Sequence, residues 1–249
     1  PLSVTIGKNT TIFEPKAQIV WVGGTDRTQE IPNRDASDYR IDEANLFLLN
    51  RYQGKDYVLP GTRADLGVSG VTNDRTFGKL AGFIGLSRRI SGKPSAGLAP
   101  EQGDIYSDYV ASLSIIPSKK ISANWSGRMS SHDFTLHESK TVASGNFGNG
   151  YLSVTHSQLS QAYFSSSEDD REELSTTLRQ TIGAGWSFTA SQIWDLSYGK
   201  TVREKSTAAL NWAGGPQDCL TVTVNYEHDP NSDRDIGSVD QVNFVLNLK

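Results

Sequence analysis

Lys120-Ile-Ser-Ala-Asn-Trp-Ser-Gly-Arg-Met129 is the stretch that decides the fold. Ile121, Ala123, Trp125, Gly127 and Met129 fall on one side of it, and Ser122, Asn124, Ser126 and Arg128 on the other. A strand alternates its side chains between two faces with a period of two, whereas a helix repeats every 3.6 residues. Strict alternation over this length is therefore a strand, and one long enough to cross a bilayer when tilted. Its second face carries an arginine, which a dry sandwich core would not hold unpaired.

The same alternation spreads outward from there. Thr62, Ala64, Leu66 and Val68 stand against Arg63, Asp65 and Ser69. Leu174, Leu178 and Ile182 stand against Ser175, Thr177 and Arg179. Trp186, Phe188, Ala190, Trp194, Leu196 and Tyr198 oppose Ser187, Thr189, Ser191, Asp195 and Ser197. Leu220, Val222, Val224 and Tyr226 oppose Thr221, Thr223, Asn225 and Glu227. Near the end Val242, Phe244, Leu246 and Leu248 oppose Gln241, Asn243 and Asn247. With further strand patterns at 2–6, 11–22, 76–90, 105–116, 134–143 and 151–163, the pattern predicts about 13 strands in a meander with no helical period between them. Polar faces bearing Arg, Asp, Asn and Glu, and apolar faces with Trp and Tyr near strand ends, fit a wet inside and a lipid outside.

Loop parity is an independent test. The long connections at 23–60, 91–104, 164–171 and 229–238 are separated by even numbers of strands, so an up-and-down barrel puts them on one side. The tight ones at 72–75, 117–119, 145–149 and 213–217 fall on the other, with short ones at 130–132 and near Gly199 on the long side. Pro117-Ser118 is read as a turn. Short periplasmic turns and long extracellular loops are the habit of outer-membrane barrels. The fold class is thus all-β, an antiparallel up-and-down transmembrane β-barrel.

Composition agrees with that class. The chain has 249 residues, 36 % of them hydrophobic, its mean hydropathy is −0.44, and no window approaches the ~20 consecutive apolar residues a spanning helix needs. Barrel strands give lipid every second residue only, so their hydropathy looks soluble. A net charge of −4 and a pI of about 5.6 speak against a nucleic-acid binder. The single Cys219 excludes an internal disulfide or a cysteine-rich zinc site. It is read either as pairing with a partner elsewhere or as a buried free thiol. No signal peptide precedes Pro1, and the strand-like 2–6 suggests that the whole of 1–249 is a piece of one larger barrel.

Residues 23–60 break the rhythm. Ala44-Asn-Leu-Phe-Leu-Leu49 is apolar with no period of two, and charges at Arg51, Lys55, Asp56, Arg63 and Asp65 follow among Gly54 and Gly61. Long ordered loops in regular domains are functional as a rule, so this one is expected to cover or plug something. Asp65, Arg128 and Arg179, with Arg63, are expected to face the lumen, lining a pore or pairing with one another.

Other constellations are weak. Asp229-Pro-Asn-Ser-Asp-Arg-Asp235 begins like a calcium loop, but Arg234 stands where glycine is needed and no helices flank it, so it reads as a solvated hairpin tip. Residues 168–173 read as an exposed acidic loop. His132, His137, His156 and His228 show no metal-ligand spacing, so neither a metal nor any other cofactor is expected. No catalytic pair stands out, and the chain reads as a non-enzyme.

Asp42, Asn45-Leu46-Phe47, Asn50-Arg51, Gly54, Asp56, Gly61-Thr62-Arg63 and Gly67 resemble the motif of the LptD lipopolysaccharide-assembly family, also called OstA or Imp, in its alphaproteobacterial form. Ser107-Asp-Tyr-Val110 and the end of the chain, from Asp218-Cys219 through Val242–Leu248, are similar to later stretches of that family. The resemblance implies the carboxyl-terminal half of the barrel of an outer-membrane translocon. It implies lipopolysaccharide as cargo, an LptE lipoprotein plug inside the barrel, and a periplasmic LptA bridge reached through an amino-terminal domain. It further implies a lateral gate with Gln241, Asn243, Val245 and Asn247 on one edge strand, a loop 23–60 folded over or into the lumen, and a disulfide from Cys219 to the amino-terminal domain. A porin or solute-uptake barrel is the alternative reading, and a membrane-barrel hydrolase a third.

Overall fold

The computed structural model describes residues 1–6, 9–24, 41–51, 60–74, 77–92, 105–160, 170–197, 202–215, 219–230 and 238–248. Thirteen strands form one antiparallel sheet in sequence order. They are β1 Leu2–Ile6, β2 Asn9–Val22, β3 Gly61–Asp74, β4 Gly78–Ser91, β5 Tyr109–Ser118, β6 Ile121–Met129, β7 Leu136–Phe147, β8 Gly150–Leu159, β9 Arg171–Gly183, β10 Trp186–Asp195, β11 Val202–Gly214, β12 Leu220–Asp229 and β13 Val239–Leu248. Connections leaving odd-numbered strands are short, such as 119–120, 148–149 and 184–185, and those leaving even-numbered strands are longer, such as 23–60 and 92–108. The expected up-and-down order and loop parity are both present. β1 and β13 each have a neighbour on one side only.

The alternation explains the pairing. Leu66 pairs with Ala17 and Leu86, while Asp65 pairs with Gln18 and Ser87, so apolar meets apolar and polar meets polar across β2, β3 and β4. A slip of one residue would exchange the two faces, which is why the pattern fixes the register. Along β12 and β13 Val222 meets Leu246 and Val224 meets Phe244, while Thr221 meets Asn247 and Asn225 meets Asn243. The apolar face is bare: Trp21 is 76 % and Phe244 77 % exposed. Exposed apolar surface on this scale marks contact with a membrane or another protein.

The strand ends differ from expectation in places. β5 runs through Pro117 to Ser118, and the turn lies at Lys119–Lys120 rather than Pro117-Ser118. Proline lacks the N–H a ladder needs; β4's register ends at the Lys79–Ile116 pair, so Pro117 sits beyond it. Ile105–Asp108 is not strand, although Tyr106 bridges to Arg88. β10 stops at Asp195, whose carboxylate accepts from the Ser197 amide at 2.8 Å and bends the chain away.

The chain divides into two compact units, one of 1–117, 124–139 and 159–169, the other of 118–123, 140–158 and 170–249. The first holds an apolar cluster of Ile41, Leu46, Phe83 and Val110 with Phe47 packed on it. The second is held by its ladders and by cross-strand side-chain pairs. Trp186 and Trp212 lie 6.4 Å apart, Lys205 meets Glu227, and His228 meets Asp240 at 2.7 Å.

Candidate functional site

The first unit's cluster lies on the polar side of its strands, where the alternation predicts no core. Its cause is the segment 41–51, a strap laid across β3, β4 and β5. The strap begins with a self-capped turn. The Asp42 carboxylate accepts from the Asn45 amide at 2.8 Å, the Asn45 side-chain oxygen accepts from the Asp42 amide at 2.9 Å, and the Leu46 amide donates to the Asp42 carbonyl at 3.0 Å. This reciprocal bonding satisfies a turn's free amides as a capping box does. It swings Leu46 and Phe47 to the wall and leaves Leu48 and Leu49 outside, 51 % and 73 % exposed.

The wall is shaped for these two side chains. Gly67 and Gly85 are cross-strand partners and carry no side chains there. A Cβ on Gly85 would stand 2.5 Å from a Leu46 methyl and 2.8 Å from the Phe83 ring; one on Gly67 would stand 3.0 Å from Phe83 and 3.1 Å from Phe47. Leu46 is wholly buried in that depression, and Phe47 meets Phe83 edge-on at 6.5 Å. Burying a leucine side chain contributes ~1.5–3 kcal/mol. On the far side Glu43 accepts from the Ser112 hydroxyl of β5.

The other end of the strap is fastened by charge. Asp65 of β3 is fully buried. Its carboxylate accepts from the Arg51 guanidinium, from the Ser87 hydroxyl at 2.6 Å and from Arg63 Nε at 3.2 Å. Arg51, its side chain 5 % exposed, also donates to the Leu46 carbonyl at 3.1 Å through Nε and to the Ser87 hydroxyl oxygen at 3.1 Å. Arg63 donates to the carbonyls of Leu48 and Leu49, the latter at 3.0 Å. Ser107 supports the wall by accepting from the Ser87 amide at 2.9 Å. The carboxylate is acceptor-only and the guanidiniums are donor-only, so each group's demand is met by its neighbours. The arrangement is a fastening that binds one chain segment to three strands.

The structure brings together Asp42, Asn45, Leu46, Phe47, Arg51 and Arg63 of the expected loop motif, with Asp65, while Gly61 opens β3 opposite Val22. Asn50 is exposed beside Arg51, and Gly54 and Asp56 lie outside the described residues. Arg128 stands apart, paired with Glu138 at 3.0 Å, and Arg179 is exposed on β9. Cys219 is a free, half-buried thiol just before β12. Gln241, Asn243, Val245 and Asn247 share one side of β13, opposite Glu227, Asn225, Thr223 and Thr221. The pattern missed Glu43, Phe83, Gly85 and Ser87, and Ser107 entered only through the family resemblance. The available signal was Phe83 and Gly85 on the polar face of β4, where neither belongs without something to pack on them.

A meander of long strands with a bare apolar face, a polar face and a segment strapped across that polar face defines an outer-membrane-type β-barrel protein. The model of the family LPS transport system D, LptD, matches residues 3–194. The chain belongs to this family, whose work is the transport of lipopolysaccharide at the outer membrane by a β-barrel. No curated protein matches the chain.

Proposed function

We propose that this chain supplies part of the barrel wall through which lipopolysaccharide reaches the outer leaflet, leaving sideways at a lateral gate of which β13 is one edge. The reading is supported by the family match and by the two-faced make-up of β13, which pairs with β12 along one edge. Its second edge would zip and unzip with another strand, and each ladder hydrogen bond so broken costs ~1 kcal/mol net. The polar side of the gate strand, Gln241, Asn243 and Asn247 with Val245 among them, suits sugars and phosphates; Val242, Phe244, Leu246 and Leu248 on the other side suit acyl chains. Transport of this kind needs no covalent step. Within the complete protein, the bare Leu48 and Leu49 on the strap offer an apolar contact to an LptE plug. Cys219 would bond to the amino-terminal domain that meets the LptA bridge.

The test is made on the full-length parent in its host. Depletion should strand newly made lipopolysaccharide inside while other barrels still assemble. A cysteine replacing Asn243, oxidised to a cysteine on the opposing edge of the seam, should stop export, and reduction should restore it. Undiminished export through the oxidised seam refutes the gate.

A further inference from the structure

Arg88 and Arg89 are consecutive in β4, and consecutive residues of a regular strand point to opposite faces. Both nevertheless line one cavity of about 460 Å3 at the end of the strand, together with Ile90, Ser91, Gly92 and Ile105. The reason is a bulge. Arg63 pairs with Arg89 and Thr62 with Ser91, so Ile90 is an extra residue with no opposite number. A bulge twists its strand and re-aims the side chains beside it. The strand end is pinned in that shape by Gly92, where φ is 103° and a Cβ would lie 2.5 Å from the Pro60 carbonyl oxygen.

We propose that Arg88 and Arg89 form a binding site for the phosphorylated headgroup of an anionic lipid. Three observations carry it. Among the described residues neither arginine has an ion pair and no carboxylate lines the cavity. Directly across the ladder from Arg89 stands Arg63, whose own charge is taken up by Asp65, so Arg89 meets no counter-ion from that position. Finally, one head is preset: the Arg88 guanidinium lies over the Tyr106 ring, 5.3 Å from its centroid, while the Arg89 backbone amide, donating to the Ile105 carbonyl at 2.7 Å, ties the strand to the cavity wall. A ring face steadies a cation without neutralising it.

The chemistry selects phosphate. Two guanidinium forks offer more donors than one carboxylate accepts, and they match the several oxygens of a phosphate ester. Ile90 and Ile105, 57 % and 61 % exposed, flank the arginines. An apolar rim around paired cations fits an amphiphile better than free phosphate. The inference rests on the lipopolysaccharide reading only for its first probe.

The experiment is a binding competition on the full-length protein in detergent, with bisphosphorylated lipid A, dephosphorylated lipid A and phosphatidylglycerol as probes. The intact protein should prefer bisphosphorylated over dephosphorylated lipid A by about tenfold or more, the worth of one or two charge-assisted bonds. R88Q/R89Q should abolish that preference while the barrel still runs as a folded, heat-modifiable band, and R88K/R89K should keep part of it. Phosphatidylglycerol competing as well as lipid A would make a phospholipid the source of the same phosphate and leave the site standing. Equal binding of the two lipid A forms, or a preference that survives R88Q/R89Q, overturns the proposal. Export is read separately by depletion, so the two readings fail independently.

Discussion

Replacing Asp65 by asparagine should loosen the strap without moving the strand that carries it. Asn has the same shape, so no cavity opens, but the carboxylate charge facing Arg51 and Arg63 is gone. The Arg51 side chain is 5 % exposed, and water cannot replace what it loses. Removing one partner of a buried ion pair costs ~3–5 kcal/mol, because the other charge stays buried. At 1.4 kcal/mol per factor of ten, strap opening should rise by roughly two to three and a half powers of ten. The amides of Leu46 and Leu48 report on it, since they donate to the Asp42 and Asn45 carbonyls inside the strap. Their hydrogen-exchange protection in the folded full-length protein should fall by that factor, while amides in the middle of β3 and β4 keep theirs. Arg51→Gln should act alike, and the double variant should be little worse than Asp65→Asn alone, because the two form one unit. Unchanged protection at Leu46 and Leu48 in Asp65→Asn would refute the fastening.

Three further outcomes follow from the geometry. Gly85→Ala should lower the urea midpoint by an amount equivalent to ~1–3 kcal/mol, as its methyl drives into Leu46 and Phe83, with Gly67→Ala milder because only rings must slide. In the connection between β6 and β7, the hydroxyls of Ser130 and Thr135 and the Thr135 amide hold the Asp133 carboxyl down at about 2. A carboxyl held below its unfolded value of about 3.9 contributes order that is full above that pH and lost as pH falls toward 2. Exchange at the Thr135 amide should therefore rise from about pH 4 downward, and Asp133→Ala should remove the pH dependence. For the thiol, full-length protein with Cys219→Ser should lose an oxidised band on a non-reducing gel, and an identical pattern would dismiss the disulfide to the amino-terminal domain.

Most of the architecture was legible because a period of two is a strong local signal. Ile121 to Met129, Trp186 to Asp195 and Leu220 to His228 show their faces without any tertiary knowledge, and loop parity fixed the up-and-down order. Strand ends were less legible. Pro117 looks like a turn residue, yet it sits in β5 beyond the last rung of the ladder, where a missing N–H costs nothing. The strap's composition marked it as an interruption and its turn at Asp42–Asn45 is local, but the seat of Leu46 and Phe47 on Gly67 and Gly85 depends on residues some 20 to 40 positions away. The same holds for the Arg88–Arg89 cavity, which sits beside a register shift against β3. Pairwise geometry of that kind leaves no trace in one strand's alternation.

The strap also bears on where a wall of this kind can open. Three adjacent strands of the first unit share one bolted segment, so parting β3 from β4 would uncover Leu46 and break the bonds that Asp65, Ser87 and Arg51 make together. Within the second unit β13 is held to β12 by its ladder and by exposed pairs such as His228–Asp240 and Gln241–Glu227, which solvent screens. A strand tied by solvent-screened pairs and no strap is fastened more weakly than a strapped triplet. The uneven distribution of fastening along the sheet is therefore itself an argument for placing movement at β13 and rigidity at β3 to β5.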